Sequence, residues 1–154
     1  DRRVVLGVLI AAILALAVGI VVAGVWSDRT SPRSVLIGGC VATVALGALL
    51  APMLGSGSLL VIWLYLTLAL FTMGFVYGPL GAWLPDLFPA RVRYTGASLA
   101  FNVGGILGGG LAPLLAQALA DHGGLRFVGA YLAGAALISL CSLLAMPAGA
   151  RAQG

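Results

Sequence analysis

Two stretches hold half of the charged residues of this 154-residue chain. The longer, Tyr77 to Gly110, reads YGPLGAWLPDLFPARVRYTGASLAFNVGGILGGG and contains Asp86, Arg91 and Arg93. The shorter, Gly24 to Leu36, reads GVWSDRTSPRSVL and contains Asp28, Arg29 and Arg33. An acid beside guanidinium groups can form charge-assisted hydrogen bonds that are made in one arrangement of a protein and broken in another. Each such pair in partly wet surroundings is worth about 1 kcal/mol, and a network of them can bias two nearly balanced states. The residue types do not add up to catalysis. No cluster of His, Cys, Asp or Glu falls where it could perform acid–base or metal chemistry, so no enzyme activity, metal or cofactor is expected. The absence of lysine excludes a P-loop and a Schiff-base lysine. The segment GGILGGG lacks the G-x-G-x-x-G spacing and a preceding strand, which removes a dinucleotide site.

The stretches that must position these charges are apolar on every face. The composition is 62% hydrophobic and 8% charged, with a mean hydropathy of +1.16, which no water-exposed surface of this size accommodates. Five runs are long enough to cross a hydrocarbon core about 30 Å thick, which takes about 20 helical residues. They are residues 4–26, 35–54, 59–84, 95–120 and 125–146. The runs lack the alternation of barrel strands and are twice their length. The predicted fold is therefore an all-α integral membrane bundle. The first run exceeds a signal-peptide core and is followed by a charged loop rather than a clear cleavage site. Pro79 should kink the third run and Pro113 the fourth, with Pro85 and Pro89 marking the end of the third. Cys40 and Cys141 lie deep in apolar runs, where a thiol behaves as a small hydrophobe.

Small residues recur at four-residue spacing: Gly7, Ala11, Ala15, Gly19 and Ala23 in the first run, and Gly39, Thr43, Gly47 and Ala51 in the second. Gly104 with Gly108 and Gly105 with Gly109 form two such pairs in the fourth. In lipid these ladders let helix backbones approach closely, and the fourth run could also slide against a neighbour. Neutral polar residues inside the spans include Thr72, Tyr77 and Asn102. Each either bonds its own or an adjacent helix or lines a pathway, and Asn102 most needs a partner or water. No Asp, Glu, Lys, Arg or His lies well inside a span, so a proton carrier is expected elsewhere. His122, in a short loop without a second titratable group, reads as a solvated histidine.

Short loops rich in arginine stay in the cytoplasm. Arg29, Arg33, Arg91, Arg93 and Arg151 fall on one side and Arg2, Arg3 and Arg126 on the other, which predicts a cytoplasmic C-terminus. The basic balance therefore concerns membrane orientation, not nucleic acid. An odd number of spans leaves Asp1 outside, and the chain is expected to be a C-terminal piece.

GVWSDRTSPRSVL resembles the cytoplasmic signature of the major facilitator superfamily, broadly G-x-x-x-D-R-x-G-R-R, in its second-half copy. Gly24, Asp28, Arg29 and Arg33 match, while Ser31 and Pro32 replace the usual Gly and Arg. PDLFPARVRYTGASL resembles the loop between spans ten and eleven of that superfamily. YGP before it and GGILGGGLAPL after it are similar to the metabolite:proton symporter family, which moves small organic acids, betaines and related solutes with protons. The resemblance implies that the runs are spans eight to twelve of a twelve-span transporter, most of its C-terminal six-helix bundle. The N-terminal half and span seven, and with them half the substrate cavity, lie elsewhere. It further implies an acid–arginine gate, with Asp86 and Arg93 at the family's spacing and Arg29 as cross-loop partner.

The expected protein is thus the C-terminal part of a proton-coupled secondary transporter in the inner membrane. Its expected partners are a small solute, protons, lipid and the missing half. Asp28, Arg29, Arg33, Asp86, Arg91 and Arg93 form the expected cytoplasmic gate, Thr72, Tyr77 and Asn102 the expected pathway, and Gly104, Gly105, Gly108 and Gly109 the expected packing surface. A non-transporting remnant or a helix-packing subunit is the alternative.

Overall fold

The computed structural model of the chain describes residues 2–146, and the side chains of residues 6–146. Arg151 and the C-terminus lie outside the described residues, as do the side chains of Arg2 and Arg3. The described residues are helical throughout, joined by short turns: α1 (Arg2–Arg29), α2 (Pro32–Leu54), α3 (Leu59–Asp86), α4 (Arg93–Gly105), a π-helical segment (Ile106–Leu111), α5 (Ala112–Gly123) and α6 (Leu125–Ala145). The segment from Arg93 to Gly123 is one continuous span, so five helical spans are long and apolar enough to cross a membrane. The first and third are longer than their apolar runs alone suggest. Helix α1 carries on through Asp28 to Arg29, and α3 carries on through Pro79 and Pro85 to Asp86. A cation in the last turn, as Arg29 is, complements the negative end of the helix dipole.

Local chemistry sets the boundaries. Ser31, with extended backbone, caps α2 by accepting a hydrogen bond from the Ser34 amide at 3.2 Å, and Pro32 takes the first helical position. Both choices suit a helix start, since the serine satisfies a free amide and the proline has none to satisfy. The two residues that depart from the superfamily signature therefore build a sharp α1–α2 connection. At the opposite end Gly124, with φ +71°, joins α5 directly to α6, a conformation that glycine adopts without the steric cost of a side chain.

Packing follows the order α1, α3, α2, α6, with each helix lying mainly against the next. Without a hydrophobic drive between helices in lipid, contact depends on close backbone approach. A Cβ at Gly74 would collide with the Leu16 carbonyl of α1, one at Gly19 with the Phe71 carbonyl of α3, and one at Gly78 with the Ile20 carbonyl. Ala12 and Ala23 of α1 are fully buried. Between α2 and α6, Gly47 and Gly129 face each other's backbone in the same way, and Gly39 seats the Val76 side chain of α3. Tyr65 ties α3 to α2 by donating its hydroxyl to the Leu46 carbonyl at 3.0 Å. Outward, apolar side chains such as Ile10, Leu14, Leu60, Leu114 and Ile138 stand more than half exposed, as a lipid-facing surface requires.

The fourth span stands apart. None of its residues is buried; α4 touches only α3, and α5 only α6, besides the π-helical segment that joins them. A Cβ at Gly104, Gly105, Gly108 or Gly109 would meet nothing within 4 Å. The expected close packing at these four glycines is thus not made to any described helix; the ladders of α1 and α2 carry it instead. Pro113 has a local consequence other than a simple kink. Its ring conflicts with the carbonyl four residues back, and the chain widens into a π turn just before it, with the Ala112 amide bonding the Leu107 carbonyl five residues back. Gly108, Gly109 and Gly110 lie within this widened turn.

Candidate functional site between α3 and α4

At the charged end of the bundle α3 and α4 diverge from the loop that joins them, leaving an open cavity of about 620 Å³. One wall is aliphatic, from Leu80, Leu84 and Pro85 of α3. The other comes from α4 and is mixed: Arg93, Tyr94, Ser98, Phe101 and Asn102. On α4 these recur at three- and four-residue spacing, which places them on one helix face. A cavity of this size, largely apolar with a few convergent polar groups, is of the kind that holds a small organic molecule.

Each polar group can be placed. Asn102 donates its Nδ2 to the Ser98 carbonyl at 2.8 Å, a bond within its own helix that leaves the amide oxygen free to accept. Arg93 donates Nε to the Phe88 carbonyl at 3.4 Å, tethering the first turn of α4 to the loop before it. Phe88 in turn covers Gly96, where a Cβ would strike the phenyl ring. The α4 N-terminus has neither a side-chain cap nor an acid in its first turn, so that end of the cavity is electropositive.

The expected site residues fall into separate places. Asn102 lines the cavity. Tyr77 is exposed on α3 and meets Phe101 edge-on, with ring centroids 6.3 Å apart. Thr72 does not line this cavity and is only 6% exposed. Two helical turns after Tyr65, it shares the face of α3 that packs into the bundle rather than the face toward α4.

The acid–arginine pairs are not formed. Asp86 ends α3 and Arg93 begins α4, but the arginine is turned to the Phe88 carbonyl, and no hydrogen bond or ion pair joins Asp28 or Asp86 to an arginine among the described residues. Asp28, Arg29, Asp86, Arg91 and Arg93 all remain exposed at the same end. Arg33 goes elsewhere. Its Nε and Nη2 donate to the carbonyls of Leu143, Leu144 and Met146 at the end of α6. The sequence reading passed over Tyr94, Ser98 and Phe101 as cavity-lining residues, although the spacing of Tyr94, Ser98 and Asn102, one turn apart, was a usable signal.

Among the described residues no metal-ligating group of three or more His, Cys, Asp or Glu occurs. The anatomy is that of a polytopic helical membrane protein with a solute-sized cavity between two spans at its charged end. Residues 4–153 match the profile of the Major Facilitator Superfamily, and the chain belongs to that superfamily. It is 42% identical over 146 residues to the inner membrane metabolite transport protein YhjE of Escherichia coli, covering 93% of this chain and 33% of that protein. It is 36% identical over 135 residues to a putative metabolite transport protein of Haemophilus influenzae, covering 88% and 30%. To the ectoine/proline transporter ProP of Corynebacterium glutamicum it is 29% identical over 105 residues, covering 68% and 21%. The chain spans about a third of the length of the first two relatives. No solved structure matches it.

Proposed function

We propose that this chain is the C-terminal part of a proton-coupled secondary transporter for a small organic solute of the organic acid or betaine class. It works by alternating access in the inner membrane, with its charged end and C-terminus in the cytoplasm. The other half of the pathway comes from sequence outside this chain. The observation that carries the reading is the open cavity between α3 and α4, where an amide, a hydroxyl and a guanidinium face an aliphatic wall. In this reading Asn102 and Tyr77 line the route. Asp28 and Arg29 at the end of α1, with Asp86 at the end of α3, Arg91 in the turn after it and Arg93 at the start of α4, pair across the inner face when it closes and part when it opens. The relatives' names, metabolite transport and ectoine/proline transport, support the solute class. The orientation rests on the arginine-rich loops.

The test is uptake by the full-length protein in cells across a panel of labelled organic acids and betaines. Saturable uptake of at least one above vector background is expected. Background uptake for every member of the panel contradicts the proposed solute class.

A further inference from the structure

Arg33 sits in the first turn of α2, yet its guanidinium lies over the end of α6. Its Nε donates to the Leu143 carbonyl at 3.2 Å, and its Nη2 reaches the carbonyls of Leu143 at 2.8 Å, Leu144 at 3.3 Å and Met146 at 2.7 Å. The last carbonyls of a helix have no partner within it and form the negative end of its dipole, so a cation supplied by another helix satisfies both needs at once. Below this contact Leu36 and Cys40 of α2 and Leu143 of α6 make a buried cluster, flanked by Ile37, Leu140, Val76 and Trp83. The Nε and Nη2 edge is the one a guanidinium uses to grip a carboxylate with two parallel bonds. Here that edge is occupied by main chain.

We propose that Arg33 is a positioning residue, a clamp that fastens the charged end of α6 to α2 so that the two helices move as one unit. It takes no part in the acid–arginine gate. Lysine cannot replace it fully, because a single ammonium does not span carbonyls that a planar fork reaches from one side.

Cys40 reports on the clamp directly, since it lies in the cluster beneath it with only 7% of its surface exposed. In full-length protein with Cys141 and any cysteine outside this chain replaced, the rate of Cys40 alkylation by N-ethylmaleimide is measured in membranes. The parental rate is expected to be slow. Arg33→Ala should raise it by about tenfold or more as the end of α6 lifts away, and Arg33→Lys by an intermediate factor. Asp86→Asn should leave it unchanged. Equal rates in the parent and Arg33→Ala overturn the clamp. Equal acceleration by Asp86→Asn overturns the separation from the gate. If Arg33→Ala does not reach the membrane, Arg33→Lys at matched abundance decides, and a parental rate there overturns the proposal.

Discussion

At the scale of single residues, what a side chain does at the charged end depends on which partner it can reach. Asp86 is exposed at the end of α3 with no arginine bonded to it, while Arg93 holds a loop carbonyl. The proposed gate pair would have to form against this arrangement, and a gain of about 1 kcal/mol would act on the balance between states rather than on folding. Asp86→Asn in the full-length protein should accordingly slow maximal uptake severalfold, change KM less and leave membrane abundance near the parental level. Steady-state uptake kinetics with quantitative immunoblotting check this. Parental kinetics remove Asp86 from the gate. The charged stretches were legible as such because charge is rare in this composition. The destination of Arg33 was not: its partners are carbonyls more than a hundred positions later, and main-chain acceptors leave no mark in a sequence. The burial of Thr72 was not legible either, because a helix apolar on all sides gives no period from which to tell its buried face from its open one.

Among the elements, glycine acts in two ways that its spacing alone does not separate. The ladders of the first two runs were read as close-packing surfaces. Gly19, Gly39 and Gly47 do lie in contact with other helices, whereas Gly7 meets nothing. Gly104, Gly105, Gly108 and Gly109 of the fourth span have the same spacing but no described neighbour, and that span carries a π turn before Pro113 instead. A spacing rule specifies the surface and not its occupant. Substitution should separate the cases. Gly74→Leu must push α1 away from α3 at about 1 to 3 kcal/mol, and should lower both membrane abundance and the melting temperature in detergent. Gly105→Leu meets no described helix and should leave both unchanged, while lowering transport if, as we propose, sequence outside this chain moves against that span. Full stability of Gly74→Leu, or full transport by Gly105→Leu, contradicts these assignments.

For the whole molecule, the all-α membrane architecture was legible from length and composition alone, because runs of about 20 apolar residues have few other uses. The arrangement α1, α3, α2, α6 with an outlying fourth span was not. It depends on which helix faces approach, and only part of that is written in small residues. The outlying span and the open cavity both bear on the proposal made above, that the chain forms one side of a transport route driven by protons. The most direct measurement reconstitutes the full-length protein in liposomes and follows a solute identified by the cell uptake panel under an imposed pH gradient. With the outside acidic, the solute is expected to accumulate above its external concentration, and a protonophore should abolish the accumulation. Uptake that only equilibrates, or accumulation indifferent to the gradient and to the protonophore, would contradict proton-coupled transport.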